Sequence, residues 1–391
     1  MSEVWSKEDE LAIIDMIDKW VENDVRPIAK EYDQEDKYPH ALVEQMKDLG
    51  LFGATIGQEF GGLGLPASIY AKIVMKVASA WMAPSGIFNS HLIQASAIER
   101  CGTQAQKELF LPRMATGELR GGVALTEPNA GTDLQAIRTT AVKDGDDYII
   151  NGAKTWITNS LNGNSLAVLV KTDLNAVPAH TGTSMFIVET KDENGEFKTG
   201  ISVSKMKKLG YRSIDTCEVV FDNFRVPAVN LVSEKEGSGF KHAIGGLELG
   251  RINVAARGAG IARGATELAV RYAQERETFG KPICQHQAIQ LKLGEMATQV
   301  EAARLLIEQA AAKYDANERC DLEAGMAKYF GSEAGVFCAN EAMRIFGGYS
   351  YSVEYDIERY YRDAMLMCIG EGTNEMQRII IAKQVIDKNR I

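Results

Sequence analysis

The hydrophobic period of the chain changes twice, and this constrains the fold more than any other feature. Over residues 1–118 the period is helical. "EDELAIIDMIDKWVENDVRPIAKEYD" sets Leu11, Ile14, Met16, Ile17, Trp20 and Val21 at helical intervals. Pro27 falls inside this pattern and predicts a kink or an end. "GQEFGGLGLP" (57–66) is a Gly/Pro-punctuated connection, and helical character resumes over 68–118. Over 119–235 the texture becomes that of strands. "DDYIINGAKTWITNS", "NSLAVLVKT", "TSMFIVET" and "DTCEVVFDNFRVP" are short β-branched runs separated by Gly, Asn and Asp turns. They predict an antiparallel sheet or barrel. No strand–helix alternation accompanies them, which disfavours a parallel α/β domain. Over 236–391 helix returns. Ile289, Leu293, Met296, Val300, Ala303, Ile307 and Ala310 alternate four and three apart, the seam of a bundle core or of a subunit contact.

A chain of 391 residues can hold two or three such domains, here 1–118, 119–235 and 236–391. The net charge of −10 argues against a nucleic-acid partner, whose phosphates need basic patches. "KMKK" (205–208) reads as a solvated turn. No apolar run reaches the roughly 18–20 residues of a membrane span. The acidic, amphipathic N-terminus has neither secretory nor transit character, and the six scattered cysteines lack a C-x-x-C pair. Both features predict a cytoplasmic protein, or one of the mitochondrial matrix if the sequence is a processed eukaryotic form. The five histidines show no metal-ligand spacing, so no metal is expected.

Four stretches could carry chemistry. "GGVALTEPNAGTDLQA" (121–136) places Thr126, Gly131, Thr132 and Asp133 where hydroxyls and free amides could hold a phosphate or a polar ring; alternatively it is a hairpin loop with Asx and Ser/Thr turns. "KTWITNS" (154–160) offers an aromatic face between hydroxyls, although a strand Trp is more often core. "RETFGKPICQHQAI" (276–289) brackets a tight turn with Arg276 and Gln287; the guanidinium suits a phosphate, or is a surface residue at a helix end. In "CIGEGTNEMQRIIIAKQ" (368–384), Gly372 breaks any arriving helix and Thr373 or Asn374 caps the next. Glu371 lies on the turn between. Its neighbours Ile369, Gly370 and Gly372 offer no charged partner, which predicts a partly desolvated carboxylate with a raised pKa. That is either a base toward a weak carbon acid or an exposed loop Glu.

Together these stretches resemble the acyl-CoA dehydrogenase family. "ALTEPNAGTD", "KTWITN", "RETFGKPICQHQAI", "IFGGY" and "EGTNEMQ" stand in the family's order and spacing, and the resemblance covers nearly the whole chain. It implies an α+β, mostly α fold: an N-terminal α-helical domain, a central antiparallel β-barrel domain and a C-terminal four-helix bundle. It implies FAD, an acyl-CoA substrate, electron-transfer flavoprotein as acceptor, and a homotetramer built as a dimer of dimers. Val123, Leu125, Thr126 and Thr132 would line the flavin, with Trp156, Ile157 and Thr158 across its other side. Arg276, Phe279 and Gln287 would reach a neighbouring subunit's FAD. Arg344, Gly347, Gly348, Thr373 and Glu375 would hold the adenosine half. Thr132, Glu248, Arg251, Gly370 and Gly372 would meet the substrate. Glu371 would be the catalytic base, taking the α-proton as the β-hydrogen leaves with its electron pair.

Five features set the chain apart from some or all of the family. Gly370 replaces the Tyr that precedes the base in straight-chain enzymes, which implies room for a branched or cyclic acyl group. Gly250 stands where some relatives carry the base instead, consistent with Glu371 in that role. Arg344 replaces a usual Gln, and Ser350 a usual Gly. The segment "IFNSHLIQ" (87–94) lacks the Arg with which glutaryl-specific relatives grip a distal carboxylate, which weighs against a dicarboxylyl substrate. A straight-chain or dicarboxylyl-CoA dehydrogenase, an oxygen-using flavoprotein and a non-catalytic CoA-ester-binding scaffold are the alternatives.

Overall fold

Ser6 opens the first helix with a reciprocal capping box to Asp9, and the computed structural model describes residues 5–245 and 247–390 from there on. The helix α1 (Lys7–Trp20) runs through one π-helical turn (Val21–Val25) into α2 (Arg26–Glu35). Pro27 directly follows this wide turn, in which the Arg26 N–H reaches back to the Val21 carbonyl, so a continuous helical run accommodates the missing donor where the pattern predicted a kink or an end. The remaining N-terminal helices are α3 (His40–Asp48), α4 (Ala67–Ala80), α5 (Met82–Cys101) and α6 (Gln104–Ala115).

Strands follow: β1 (Gly121–Ala124), β2 (Thr140–Asp144), β3 (Asp147–Thr158), β4 (Ser165–Lys171), β5 (Thr183–Glu189), β6 (Ile201–Lys205) and β7 (Thr216–Pro227). They form one sheet in the order β1-β4-β2-β3-β7-β6, with β5 on β4. Its pairs are antiparallel except that β4 runs parallel to β1 and touches β2 in parallel at a single position. The β2–β3 hairpin is inserted between β1 and β4, so these two strands are joined by a crossover and can lie parallel. Where "KMKK" was expected to be a solvated turn, Lys208 is tied down: its Nζ donates to the Ile214 carbonyl at 2.6 Å and to Thr216 Oγ1 at 2.9 Å. Burial lowers its pKa to about 8.

The chain then turns helical through α7 (Gly239–Ile244), α8 (Leu247–Glu275), α9 (Gln287–Asp315), α10 (Asp321–Phe346), α11 (Ile357–Ile369) and α12 (Asn374–Lys388). The seam on α9 is core: Met296, Ala303, Ile307 and Ala310 are fully buried. The long helix α8 is the axis of the assembly. A Cβ at Gly258 would lie 2.5 Å from the Gly331 carbonyl of α10, and one at Gly264 would lie 2.2 Å from the Ser79 carbonyl of α4. Only glycine allows backbones this close, so "AARGAGIARGA" packs α8 against α4 and α10 at once. Among the described residues, no helix is long and apolar enough to cross a membrane, and no His/Cys/Asp/Glu group could hold a metal ion. All six cysteines are free.

Candidate active site

Two of the four sequence stretches meet through buried bonds. Lys154, fully buried on β3, donates to the Leu125 carbonyl at 3.0 Å and to Glu127 at 2.8 Å. Glu127 also accepts from the backbone N–H groups of Arg138 (2.6 Å) and Thr139 (2.9 Å). Burial opposes its charge, but Lys154, Thr139 and Arg138 outweigh that and hold it below the usual carboxylate range. Lys154 in turn is lowered to about 8 by its burial. The Thr155 N–H donates to the Thr126 carbonyl at 2.9 Å. The turn Glu127–Ala130 closes with paired backbone bonds, and Asp133 accepts from the Gln135 N–H, so the expected loop chemistry is present. Thr132 is exposed and Val123, Leu125 and Thr126 are half-buried.

A bulge follows Lys154, where the register of β3 on β7 slips between Lys154 and Ile157. Trp156 sits in it with φ of 64° and is 57% exposed. Its neighbours on either side, Thr155 and Ile157, are buried. A bulge re-aims side chains, and here it turns a large indole out of the core. Trp156 is therefore not a core residue, and its exposed ring stands beside the half-buried Thr158. Asn159, also at positive φ, fastens the end of β3 by donating to the carbonyls of Ile87 (2.7 Å) and Gly121 (3.0 Å).

Glu371 lies between α11 and α12. Its φ of 54° is unusual for a residue with a side chain, and Gly372 follows at 88°. Such strain persists only where surrounding structure enforces it. Here the enforcement comes from below. The buried Lys328 of α10 donates to the Asn374 Oδ1 at 2.9 Å and to the Cys368 carbonyl at 3.4 Å, fixing both ends of the turn. Thr373 caps α12 by accepting from the Met376 N–H, and Glu375 stands in its first turn.

The expectation that Glu371 lacks a charged partner is corrected by the structure. Arg257, from the middle of α8, donates its Nη2 to Glu371 Oε1 at 2.7 Å, with only 4% of its side chain exposed. Asn89 of α5 donates to the same oxygen at 3.2 Å. Sequence proximity could not reveal a partner 114 residues upstream. Burial nonetheless dominates and raises the Glu371 pKa above the usual value, opposed by Arg257, Lys328 and Asn89. The Glu371 side chain still retains 28% exposure. A Cβ at Gly250 would meet Glu371 Oε2 at 3.2 Å and nothing else within 4 Å. Gly250, where some relatives carry the base, therefore adjoins the Glu371 carboxylate. Gly370 has an ordinary φ of −74°, and a Cβ there would come no closer than 3.3 Å to another atom. Its φ does not require glycine, although a Cβ would press on the Leu366 carbonyl.

The other candidates gather elsewhere. Arg276 lies over the Tyr349 ring at 5.6 Å, which joins the 276–287 turn to the 344–351 turn. Phe279 is 97% exposed at positive φ, and Gln287 is exposed at the start of α9. Gly347 (φ 60°) and Gly348 are exposed, and Ser350 closes their turn by donating to the Gly347 carbonyl at 2.8 Å. Arg344 is mostly solvent-exposed and leans toward Glu341 at 3.5 Å. Arg251 is buried beside Glu248 on α8, with its Nε unpartnered among the described residues and its basicity lowered by burial.

Comparison with known proteins agrees with this architecture over almost its full length. The acyl-CoA dehydrogenase N-terminal, middle and C-terminal domain families match residues 7–118, 122–224 and 237–386. The chain belongs to the acyl-CoA dehydrogenase family. It is 37% identical over 385 residues to (2S)-methylsuccinyl-CoA dehydrogenase of Cereibacter sphaeroides, covering 97% of this chain and 70% of that one. It is 39% identical over 373 residues to acryloyl-CoA reductase (NADH) of Anaerotignum propionicum, covering 95% and 92%. Its fold superposes on butyryl-CoA dehydrogenase from Megasphaera elsdenii with a TM-score of 0.92 at 34% identity, covering 99% and 100%. Acyl-CoA dehydrogenases are FAD-dependent oxidoreductases acting on CH–CH donors. The surface around Trp156 fits such a group: an outward indole and half-buried threonines on a backbone braced by a buried ion pair.

Sequence reasoning missed Arg257, Asn89, Lys328, Lys154 and Glu127. A signal existed for some. Arg257 interrupts a run of Ala and Gly, and Asn89 a helix of apolar residues. A polar group in such a stretch is either paired or functional.

Proposed function

We propose that the protein removes hydrogen across the α,β-bond of a short, branched or cyclic acyl-CoA, with Glu371 as base. The observation that carries this reading is the setting of Glu371: a strained, mostly buried carboxylate that retains 28% exposure and, among the described residues, accepts only from Arg257 and Asn89. Burial raises its proton affinity, which suits a base that must take a proton from carbon. Among the described residues, nothing accepts from the Glu371 backbone N–H, so it is free to donate to a thioester carbonyl and stabilise developing enolate charge. FAD, when bound, supplies the acceptor for the electron pair leaving the β-carbon. By family resemblance Val123, Leu125, Thr126, Trp156, Ile157 and Thr158 hold its ring. Thr132, Glu248 and Arg251 serve the CoA arm. Arg276, Phe279, Gln287, Arg344, Gly347, Gly348, Thr373 and Glu375 hold the dinucleotide across a subunit contact in a homotetramer. The 97% exposure of Phe279 supports such a contact.

The lack of a side chain at Gly370, next to the proposed base, supports the branched or cyclic acyl group. Electron-transfer flavoprotein is the proposed acceptor and the cytoplasm the proposed location, in a step of the β-oxidation type. A panel of CoA thioesters with an artificial electron acceptor tests the reading. Branched or cyclic thioesters should give the highest kcat/KM, and the idea is wrong if butyryl- and octanoyl-CoA beat all of them. Rapid oxygen consumption without an acceptor would instead mark an oxygen-using flavoprotein.

A further inference from the structure

Arg257 has more donors than partners, and it has them beside the carboxylate of the proposed base. A guanidinium carries five N–H groups in a planar fork. Among the described residues, Nη2 donates to Glu371, Nη1 makes a long bond of 3.4 Å to the Tyr211 hydroxyl, and the buried Nε has no partner. The walls nearby are polar too. Asn89 and Asn253 both reach the Tyr70 hydroxyl, and the Asn253 Oδ1 is buried without a donor. The buried Arg257 Nε and Asn253 Oδ1 are desolvated without a partner among the described residues, a cost that a polar group on the acyl chain would relieve. Among the described residues the anion that Arg257 pairs with is Glu371, and the guanidinium offsets part of the proton affinity that burial gives the base.

We propose that Arg257 selects the substrate by taking a carboxylate at the far end of the acyl chain, so that the preferred thioester is a short, branched dicarboxylyl-CoA. The proposal rests on the reading of Glu371 as base and names its substrate class. A carboxylate matches the guanidinium fork with two parallel bonds and satisfies the spare donors. As Arg257 turns toward the incoming carboxylate, Glu371 Oε1 loses its strongest partner and is free to accept the α-proton. An uncharged acyl group leaves the Arg257–Glu371 pair closed. The sequence offered no arginine on 87–94 for a distal carboxylate; the structure supplies one from α8, with Asn89 of that same segment beside it. Gly250 and Gly370, both without a side chain near Glu371, leave the room a branched diacid needs.

The test compares 2-methylsuccinyl-CoA and glutaryl-CoA with their ω-methyl esters on the flavin-loaded protein, so that only the charge differs. The parent should prefer the free acids by about 100-fold or more in kcat/KM, the scale of a lost charge-assisted pair. In Arg257→Gln that acid-to-ester ratio should collapse by a similar factor, mostly through KM, and Arg257→Lys should keep part of it. Equal use of acid and ester by the parent, or equal losses on both in Arg257→Gln with KM unchanged, overturns the proposal. If the parent reduces its flavin with neither set nor with any uncharged thioester, the dehydrogenase reading itself has failed.

Discussion

The β-side wall and the Glu371 turn hold strained residues in opposite ways. On the β side, Trp156 and Asn159 at positive φ are fixed by a fully buried ion pair and by backbone bonds that leave little freedom. At the turn, the Glu371 backbone is clamped by Lys328, but its carboxylate is held by one exchangeable ion pair and one amide. The first arrangement suits a surface that must present a flat face in one geometry. The second suits a group that must change partners during each cycle. A buried ion pair can brace a site or gate it, and what distinguishes the two is how many other bonds hold the same carboxylate.

The comparison can be broken most forcefully at Lys154. Lys154→Met leaves Glu127 buried without its cation and should cost about 3–5 kcal/mol of stability. Flavin retention should fall with it, and an unchanged melting temperature with full flavin would show that the wall does not depend on this pair. Lys328→Met removes a buried charge whose partners are neutral, so stability should shift by only about 1–2 kcal/mol while kcat drops roughly 10-fold. Scanning calorimetry beside turnover separates these effects; a large stability loss with normal kcat would reverse the assignment of roles. Gly370→Tyr should fold normally and cut kcat/KM on branched thioesters by roughly 10-fold, with straight-chain ones spared. Equal losses on both would remove the steric account. The finest test is pH. Glu371 must be deprotonated to act, and burial raises its pKa, so kcat/KM should rise with pH through a value above that of an ordinary Glu. Removing Arg257 takes away a cation that favours the charged form, so in Arg257→Gln this limb should move to still higher pH. A limb that stays put would mean that the pair does not persist in the free enzyme.

Much of the architecture was legible because it is written in periods and punctuation. The switch from helical to strand spacing at 119, and back at 236, needs no tertiary information. Nor does the turn that Gly372 imposes after Glu371. What stayed hidden is what distance in sequence hides. The partner of Glu371 lies on α8, and only the glycine-lined approach of α8 to α4 and α10 brings it in. The outward turn of Trp156 depends on a register slip against β7, which the residues of β3 do not announce. The parallel β1–β4 pair depends on a hairpin being inserted between two strands, a matter of topology that local composition does not record.

Anaerobic mixing of the flavin-loaded Glu371→Gln variant with a thioester that the parent oxidises addresses the base directly. Flavin bleaching should be slower than in the parent by about 100-fold or more, the contribution of a positioned general base, while binding of the thioester persists. Bleaching at the parent's rate would contradict the account.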